Sequence, residues 1–180
     1  MPIDPARVAG ARLSPFAGTG YRHLSPRYDP LNGEGARLNG GRFNPPGSFP
    51  VLYICGTRDC AAAELRRVGQ RQAVGVEGLL PRHLYVYQIM LDRVLNLTDL
   101  ATRVAAGVST EVLTGPDWTA CQEVGMAAHA LGAQAVISPS ATGTDYVVAV
   151  FMQNLGMGSL EPRFEEEWAV LDDLGGGPAR

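Results

Sequence analysis

Apolar positions along the chain gather into short runs separated by one long segment with no period. Val51 to Cys55 (VLYIC) and Leu84 to Leu91 (LYVYQIML) are rich in β-branched, aromatic and aliphatic residues and predict strands. VLNLTDL after the second run either continues it or pairs beside it. Tyr21 to Leu24 predicts another short strand, and Gln134 to Ser140 and Asp145 to Phe151 predict two more, joined by a turn containing Gly143. Helical signals occur twice. Asp59 opens CAAAELRRVGQRQA, a stretch of good helix formers with an acid in its first turn, where the helix dipole favours it. Thr114 with Asp117 fits an S/T-x-x-D/E helix start with Pro116 in the first turn. Trp118, Cys121, Val124, Ala128 and Leu131 then share one face until Gly132 ends the pattern.

Residues 25 to 50 hold ten glycines or prolines and predict a long ordered loop, and loops of that length in a compact domain tend to carry function. Glu165, Glu166 and Glu167 beside Trp168 predict a solvated acidic tail held by one aromatic, and the final GGGPAR predicts a mobile end. Strands lie in both halves with few helices between them, and no G-x-G-x-x-G follows a first strand. A Rossmann domain is therefore disfavoured, and an α+β fold with an irregular or split sheet, one domain over residues 1–180, fits better.

Composition narrows the chemistry. The 180 residues are 46% hydrophobic and 18% charged, an ordinary globular balance long enough to bury roughly 70% of the unfolded surface. All 15 basic side chains are arginine and the net charge is −3, which argues against direct nucleic-acid binding through a general basic surface. It leaves room for a local arginine site for phosphate or carboxylate, although coding bias accounts for the missing lysine as well. The three cysteines include no C-x-x-C pair and no histidine at ligand spacing, so neither a disulfide framework nor a metal site is expected. Cys55 and Cys121 read as small buried hydrophobes. No leader-like segment and no apolar run of about 20 residues is present, which predicts a cytoplasmic protein with no membrane association.

Few residues stand out for chemistry. Arg22 lies on a predicted strand, and Arg42 sits among glycines that let a backbone approach a ligand closely; it reads either as an anion clamp or as a pin for its own loop. Tyr53 is on a strand, where tyrosine commonly fills core, and Glu64 is on a helix, where glutamate commonly faces solvent. Ser138 and Ser140 end a strand and could simply serve its turn. No G-x-S-x-G elbow or nucleophilic triad is visible. Of the histidines, His83 reads as a loop residue and His129 as a helix residue, with no catalytic expectation for either.

Taken together, Tyr21-Arg22, GEGARLNGGRFNPPG at Gly33 to Gly47, Leu52-Tyr53, A-x-x-E-L around Glu64 and SPSATGTDYVVAVF resemble the RES domain family in order and over roughly Tyr21 to Phe151. A mycobacterial member shares GEGAR, the GGR-aromatic-NPP block and the DW-x-x-C-Q-x-V-G found here at Asp117 to Gly125. The resemblance implies an ADP-ribosyltransferase-like fold with a split, mostly antiparallel sheet and a few flanking helices. It implies the toxin of a toxin-antitoxin system, depleting NAD as an NAD phosphorylase or NAD glycohydrolase. NAD is then the substrate, inorganic phosphate a possible co-substrate, and no cofactor is needed. Arg22 and Arg42 match the motif arginines, Tyr53 the tyrosine, Glu64 the glutamate and Ser140 the serine, with Ser138 its rival. Glu64, Arg42 and Tyr53 are thereby expected to be catalytic, and Arg22, Arg42, Tyr53 and Ser140 to bind substrate. His23 departs from the tyrosine at that place in the mycobacterial member, and Asn44 has no assigned role. An Xre-type antitoxin that occludes the cleft is the expected partner, with homo- or hetero-oligomers to match. Transfer of ADP-ribose to a protein is the competing activity, and a non-catalytic antitoxin-binding module is a third reading that the intact residue set disfavours.

Overall fold

The computed structural model describes residues 3–143 and 145–175; the expected mobile end beyond Gly175 lies outside the described residues. Six strands are present: β1 (Ser14–Leu24), β2 (Val51–Cys55), β3 (Arg82–Asn96), β4 (Ala135–Pro139), β5 (Tyr146–Phe151) and β6 (Leu160–Trp168). Six α-helices accompany them: α1 (Pro5–Gly10), α2 (Glu34–Asn39), α3 (Arg58–Arg71), α4 (Leu100–Ala106), α5 (Thr110–Thr114) and α6 (Thr119–Ala130). No helix among the described residues is long and apolar enough to cross a membrane.

The strand order is β1-β2-β5-β4-β3-β6, and β1 also pairs with β3 over Ser14 to Leu24. That extra pairing joins β1, β2, β5, β4 and β3 into a closed ring with β6 attached outside β3. The expectation of a split sheet is thus corrected. A 15-residue β3 is long enough to hold β1 along one edge while its other edge takes β6 at Arg82 to Ile89 and β4 at Val94 to Asn96. Only the β3–β4 pairing is parallel, so the mixed, mostly antiparallel α+β character stands.

Strand alternation decides what the ring encloses and what it offers outward. Leu52, Ile54, Ile89, Ile137, Val148 and Val150 pack together in one cluster. Their neighbours Val51, Val136, Ala149 and Phe151 belong instead to a second cluster with Cys121, Val124 and Ala128 of α6. Tyr53 and Cys55 share the face of Val51, so alternation alone delivers Tyr53 to the outer side where the helices pack. A third cluster sets Cys60, Ala61, Ala62 and Leu65 of α3 against Leu84 and the fully buried Trp168.

Several expectations change in detail. The glycine- and proline-rich segment is not all loop: Asn32 Oδ1 accepts from Glu34 N, Arg37 pairs with Glu34 one turn on, and Gly40 at φ 76° ends a short helix that its glycines hid. The capping box at Thr114 does not form. Thr114 closes α5 by donating to the Thr110 carbonyl, Asp117 accepts from Thr119 in a tight turn ahead of α6, and Leu131 is exposed rather than on the buried stripe. His83 lies on β3, not in a loop, with Nε2 3.1 Å from Glu167 Oε2. The acidic tail is β6, paired with β3 from Ile89 back to Arg82 and anchored by the buried Leu160 and Trp168 at its ends. Arg58 ties it to α3 by donating to Glu166 and to the Asp173 carbonyl while lying over the Trp168 ring.

Candidate active site

A cleft of about 490 Å³ opens where β2, the ends of β1 and β4, α3 and the loop before β2 converge, a volume in the usual range for small-molecule sites. Arg22, Arg42, Tyr53, Glu64, Ser138 and Ser140 all line it. All the residues singled out from sequence therefore meet in one place, although they come from five separate segments of the chain.

The carboxylate is positioned first by its helix. Thr57 caps α3, its hydroxyl accepting from Cys60 N, and the small Ala61 and Ala62 let the helix sit close on the sheet, leaving Glu64 facing the cleft. Ser140 Oγ donates to Glu64 Oε1 at 2.8 Å and is itself held by Thr142, whose backbone N donates to it at 3.2 Å. Ser138 lines the same wall and is as buried as Ser140, but no hydrogen bond among the described residues joins it to Glu64. Of the two serines, Ser140 is the one that engages Glu64.

The loop expected to be stiff is stiffened by Asn44. Asn44 Nδ2 donates to the Ala36 carbonyl at 2.7 Å, and its Oδ1 accepts from the Tyr53 hydroxyl at 2.8 Å. The same hydroxyl accepts from Phe43 N at 2.9 Å. Burial pushes the Tyr53 pKa up, so the phenol stays protonated. Its hydroxyl is thus turned into the loop and the ring is what it offers to the cleft. Gly41 backs onto that ring so closely that a Cβ there would overlap the Tyr53 Cε2 and Cζ atoms. Gln122 of α6 fastens the loop from outside, its Nε2 donating to the Gly41 carbonyl at 3.0 Å.

Arg42, the residue that read both ways from sequence, lines the cleft and is tied to the segment before α6 rather than to its own loop. One Nη1 donates to the Gly115 carbonyl at 2.9 Å, while the guanidinium lies over Trp118 at 5.6 Å from the ring centroid. Arg71 lies over the same indole at 5.3 Å. Arg22, from β1, donates to the Pro30 carbonyl at 3.3 Å, and Arg82 Nε, from β3, donates to His23 Nδ1 at 3.3 Å. Arg67 completes the set. Five guanidiniums thus face one carboxylate, and none of the four ion pairs among the described residues involves any of them.

Arg67, Arg71, Arg82 and the cleft-facing position of Trp118 were not anticipated. The first two were legible: Glu64, Arg67, Val68 and Arg71 are spaced i, i+3, i+4 and i+7, one face of a helix. Trp118 was assigned to a core stripe because its spacing matched, but it lies one residue before α6, where the stripe no longer applies.

His23 carries a consequence for stability. Burial, then the charges of Arg82 and Arg22, push its pKa down from 6.5 to about 3, so the folded protein keeps the imidazole neutral while the unfolded chain protonates it below 6.5. The unfolded state binds the extra proton, so stability rises with pH across that window and falls as acid is added. Urea midpoints should correspond to a loss of up to about 1.4 kcal/mol per pH unit below 6.5, and His23→Gln should flatten that slope. A variant as acid-sensitive as the wild type between pH 7.5 and 5.5 would discount His23 as the cause.

Comparison with known proteins identifies the family. Residues 15–172 match the RES domain. The NAD(+) phosphorylase MbcT of Mycobacterium bovis and that of Mycobacterium tuberculosis are each 36% identical over 150 residues, covering 82% of this chain and 81% of the relative. The crystal structure of the M. tuberculosis MbcT-MbcA toxin-antitoxin complex superposes with a TM-score of 0.82 at 32% identity, over 92% of this chain and 91% of that one. The matched span takes in every strand of the ring and all the segments that meet at the cleft, and the chain belongs to the RES domain family.

Proposed function

We propose that this protein is an NAD-cleaving toxin, acting as an NAD phosphorylase. The observation that carries the reading is Glu64 held by Ser140 in a cleft otherwise charged by five unpaired guanidiniums, in a chain 36% identical to an NAD(+) phosphorylase. The bond broken is the one between the nicotinamide nitrogen and ribose C1, whose electron pair leaves with nicotinamide as a neutral amide. Positive charge grows on the ribosyl centre, as in glycoside cleavage, and the Glu64 carboxylate opposes it. An oxygen of inorganic phosphate closes the new bond to C1 and gives ADP-ribose 1-phosphate.

Nicotinamide is a good leaving group, so electrostatics and positioning suffice without strong general acid help. Arg22 and Arg42 hold substrate phosphates, Tyr53 lays its ring against the nicotinamide-ribose end, and Ser140 orients Glu64. No cofactor enters this scheme; NAD and phosphate are both substrates. The ADP-ribosyltransferase-like assignment of the fold belongs to this proposal, with the sheet closed into a ring rather than split. Likeness to a chain of the MbcT-MbcA toxin-antitoxin complex supports an antitoxin partner; on the same proposal this antitoxin is of the Xre type, occludes the cleft and assembles with the toxin into oligomers in the cytoplasm.

The test is nicotinamide release from NAD by the purified protein with and without phosphate. Phosphate-dependent release, with phosphorus NMR showing the sugar phosphate, is expected. Release that ignores phosphate would make the protein a hydrolase, label from NAD appearing on protein would make it a transferase, and no consumption of NAD would overturn the reading.

A further inference from the structure

The five cleft arginines fall into two groups by the residues each one meets. On α3, Arg67 and Arg71 rise about 4.5 and 10.5 Å along the helix from Glu64, at 1.5 Å per residue, on the same face. Arg71 meets Arg42 across the indole of Trp118, which both guanidiniums cover. Partial desolvation against the cleft wall, then the charges of Arg67 and Arg42, push the Arg71 pKa down, and Arg71 and Arg67 make no hydrogen bond or ion pair among the described residues. The Trp118 Nε1 donor in the middle of this group is buried without an acceptor. Arg71 is solvent-exposed whereas Arg42 and Arg67 are half-buried, so this group runs from within the cleft out to its mouth.

The other group is Arg22 and Arg82, from β1 and β3, neither of them exposed. Burial, then the charge of Arg22, push the Arg82 pKa down. Both side chains are already fixed, Arg22 by the Pro30 carbonyl and Arg82 by the neutral His23, whose Nδ1 accepts from it. His23 neutral matters here: it adds no third positive charge and holds Arg82 by a lone pair. Like charges left unpaired in this way are costly to keep, and an anion is the compensation both groups lack.

From this division we infer that the cleft contains two separate anion sites: Arg42, Arg67 and Arg71 around Trp118 take the pyrophosphate of the dinucleotide, and Arg22 with Arg82 takes the inorganic phosphate that attacks. The inference rests on the phosphorylase reading. Size decides which ligand goes where. With its reacting ribose at Glu64, a dinucleotide must pass its adenylyl half out through the mouth, and its two linked phosphates suit a row of guanidiniums a helical turn apart. A single small ion suits the fixed inner pair. Hydrolysis needs no second anion, so the inner pair is also what would favour phosphate over water as the nucleophile.

The experiment is steady-state kinetics of the full-length protein with NAD and phosphate varied independently, for wild type, Arg71→Gln and Arg82→Gln. Arg82→Gln is expected to raise the KM for phosphate at least tenfold and to move the KM for NAD less than threefold; Arg71→Gln should do the reverse. If the two variants shift both KM values alike, or in the opposite sense, the two-site division is wrong. Calorimetric titration with inorganic phosphate and with ADP separates this outcome from failure of the functional reading. Should the wild type not consume NAD, Arg82→Gln must still lose phosphate and keep ADP, and Arg71→Gln the converse. A wild type that binds neither probe, or variants that lose both together, would overturn the inference on its own.

Discussion

Replacing Glu64 with glutamine is expected to slow nicotinamide release by at least 10² to 10³, about 3 to 4 kcal/mol of transition-state stabilisation, with the KM for NAD little changed. The argument is one of charge without shape. Glutamine keeps the Oε1 that accepts from Ser140 Oγ, so the 2.8 Å contact and the α3 packing survive, and the thermal midpoint should stay within a few degrees of wild type. What is lost is the negative charge beside a ribosyl centre that becomes positive only as the bond to nicotinamide breaks, so the loss falls on kcat. Ser140→Ala removes the group that aims the carboxylate and leaves the charge, so a smaller loss of roughly tenfold follows, within the effect expected of a misplaced catalytic group. The order of the two effects is the discriminating result. Glu64→Gln retaining more than a tenth of wild-type nicotinamide release, or Ser140→Ala being the worse of the two, would remove Glu64 from the centre of the chemistry.

The elements that carry this site were legible, but the site residues were legible only through the family resemblance, since period alone read Tyr53 as core and Glu64 as solvent-facing. Tyr53 follows the strand period, Glu64 follows the helix period, and Arg42 sits in a run of glycines and prolines that announces a built loop. What could not be read is anything that depends on which elements become neighbours. The 10 residues of β1 that pair with β3 close the sheet into a ring, and nothing in either strand states that pairing. The same blindness hid β6, whose glutamates look like a solvated tail until Arg58 supplies a partner for Glu166 and α3 covers Trp168. Arg82 was hidden for the opposite reason. Its strand was recognised only from Leu84 on, so an arginine at its start had no face assigned. Asn44 is the instructive case, since no period governs a loop residue. Its role follows only from the three partners that converge on it, Ala36, Phe43 through the shared tyrosine, and Tyr53.

The largest effect on stability is expected at Gly125, which lies in the middle of α6 and is buried. A Cβ built there would overlap the Phe43 carbonyl oxygen and stand 2.6 Å from its carbon, both of them backbone atoms that cannot turn aside. Two effects of Gly125→Ala oppose each other. In an open helix alanine gains up to about 1 kcal/mol over glycine, whereas forcing a methyl into a packed contact costs about 1 to 3 kcal/mol and more where backbone must move. The steric term wins here, so a net loss of about 3 kcal/mol is expected, which for a domain of this size lowers the thermal midpoint by roughly 6 to 12 °C. The loss also has a direction. The backbone pushed away is that of Phe43, between Arg42 and Asn44, so the loop would shift from Gln122 and Tyr53 together and take the Arg42 guanidinium off Trp118. Residual folded protein should therefore show a raised KM for NAD as well as a lower midpoint, which a cavity or cap defect elsewhere in α6 would not produce. Met126→Ala, at an exposed position of the same helix, is the control and should change neither. A Gly125→Ala protein more stable than wild type would mean that helix propensity prevails and that α6 does not press on the Phe43 backbone; the loop that carries Arg42 would then owe its position to the hydrogen bonds of Asn44, Tyr53 and Gln122.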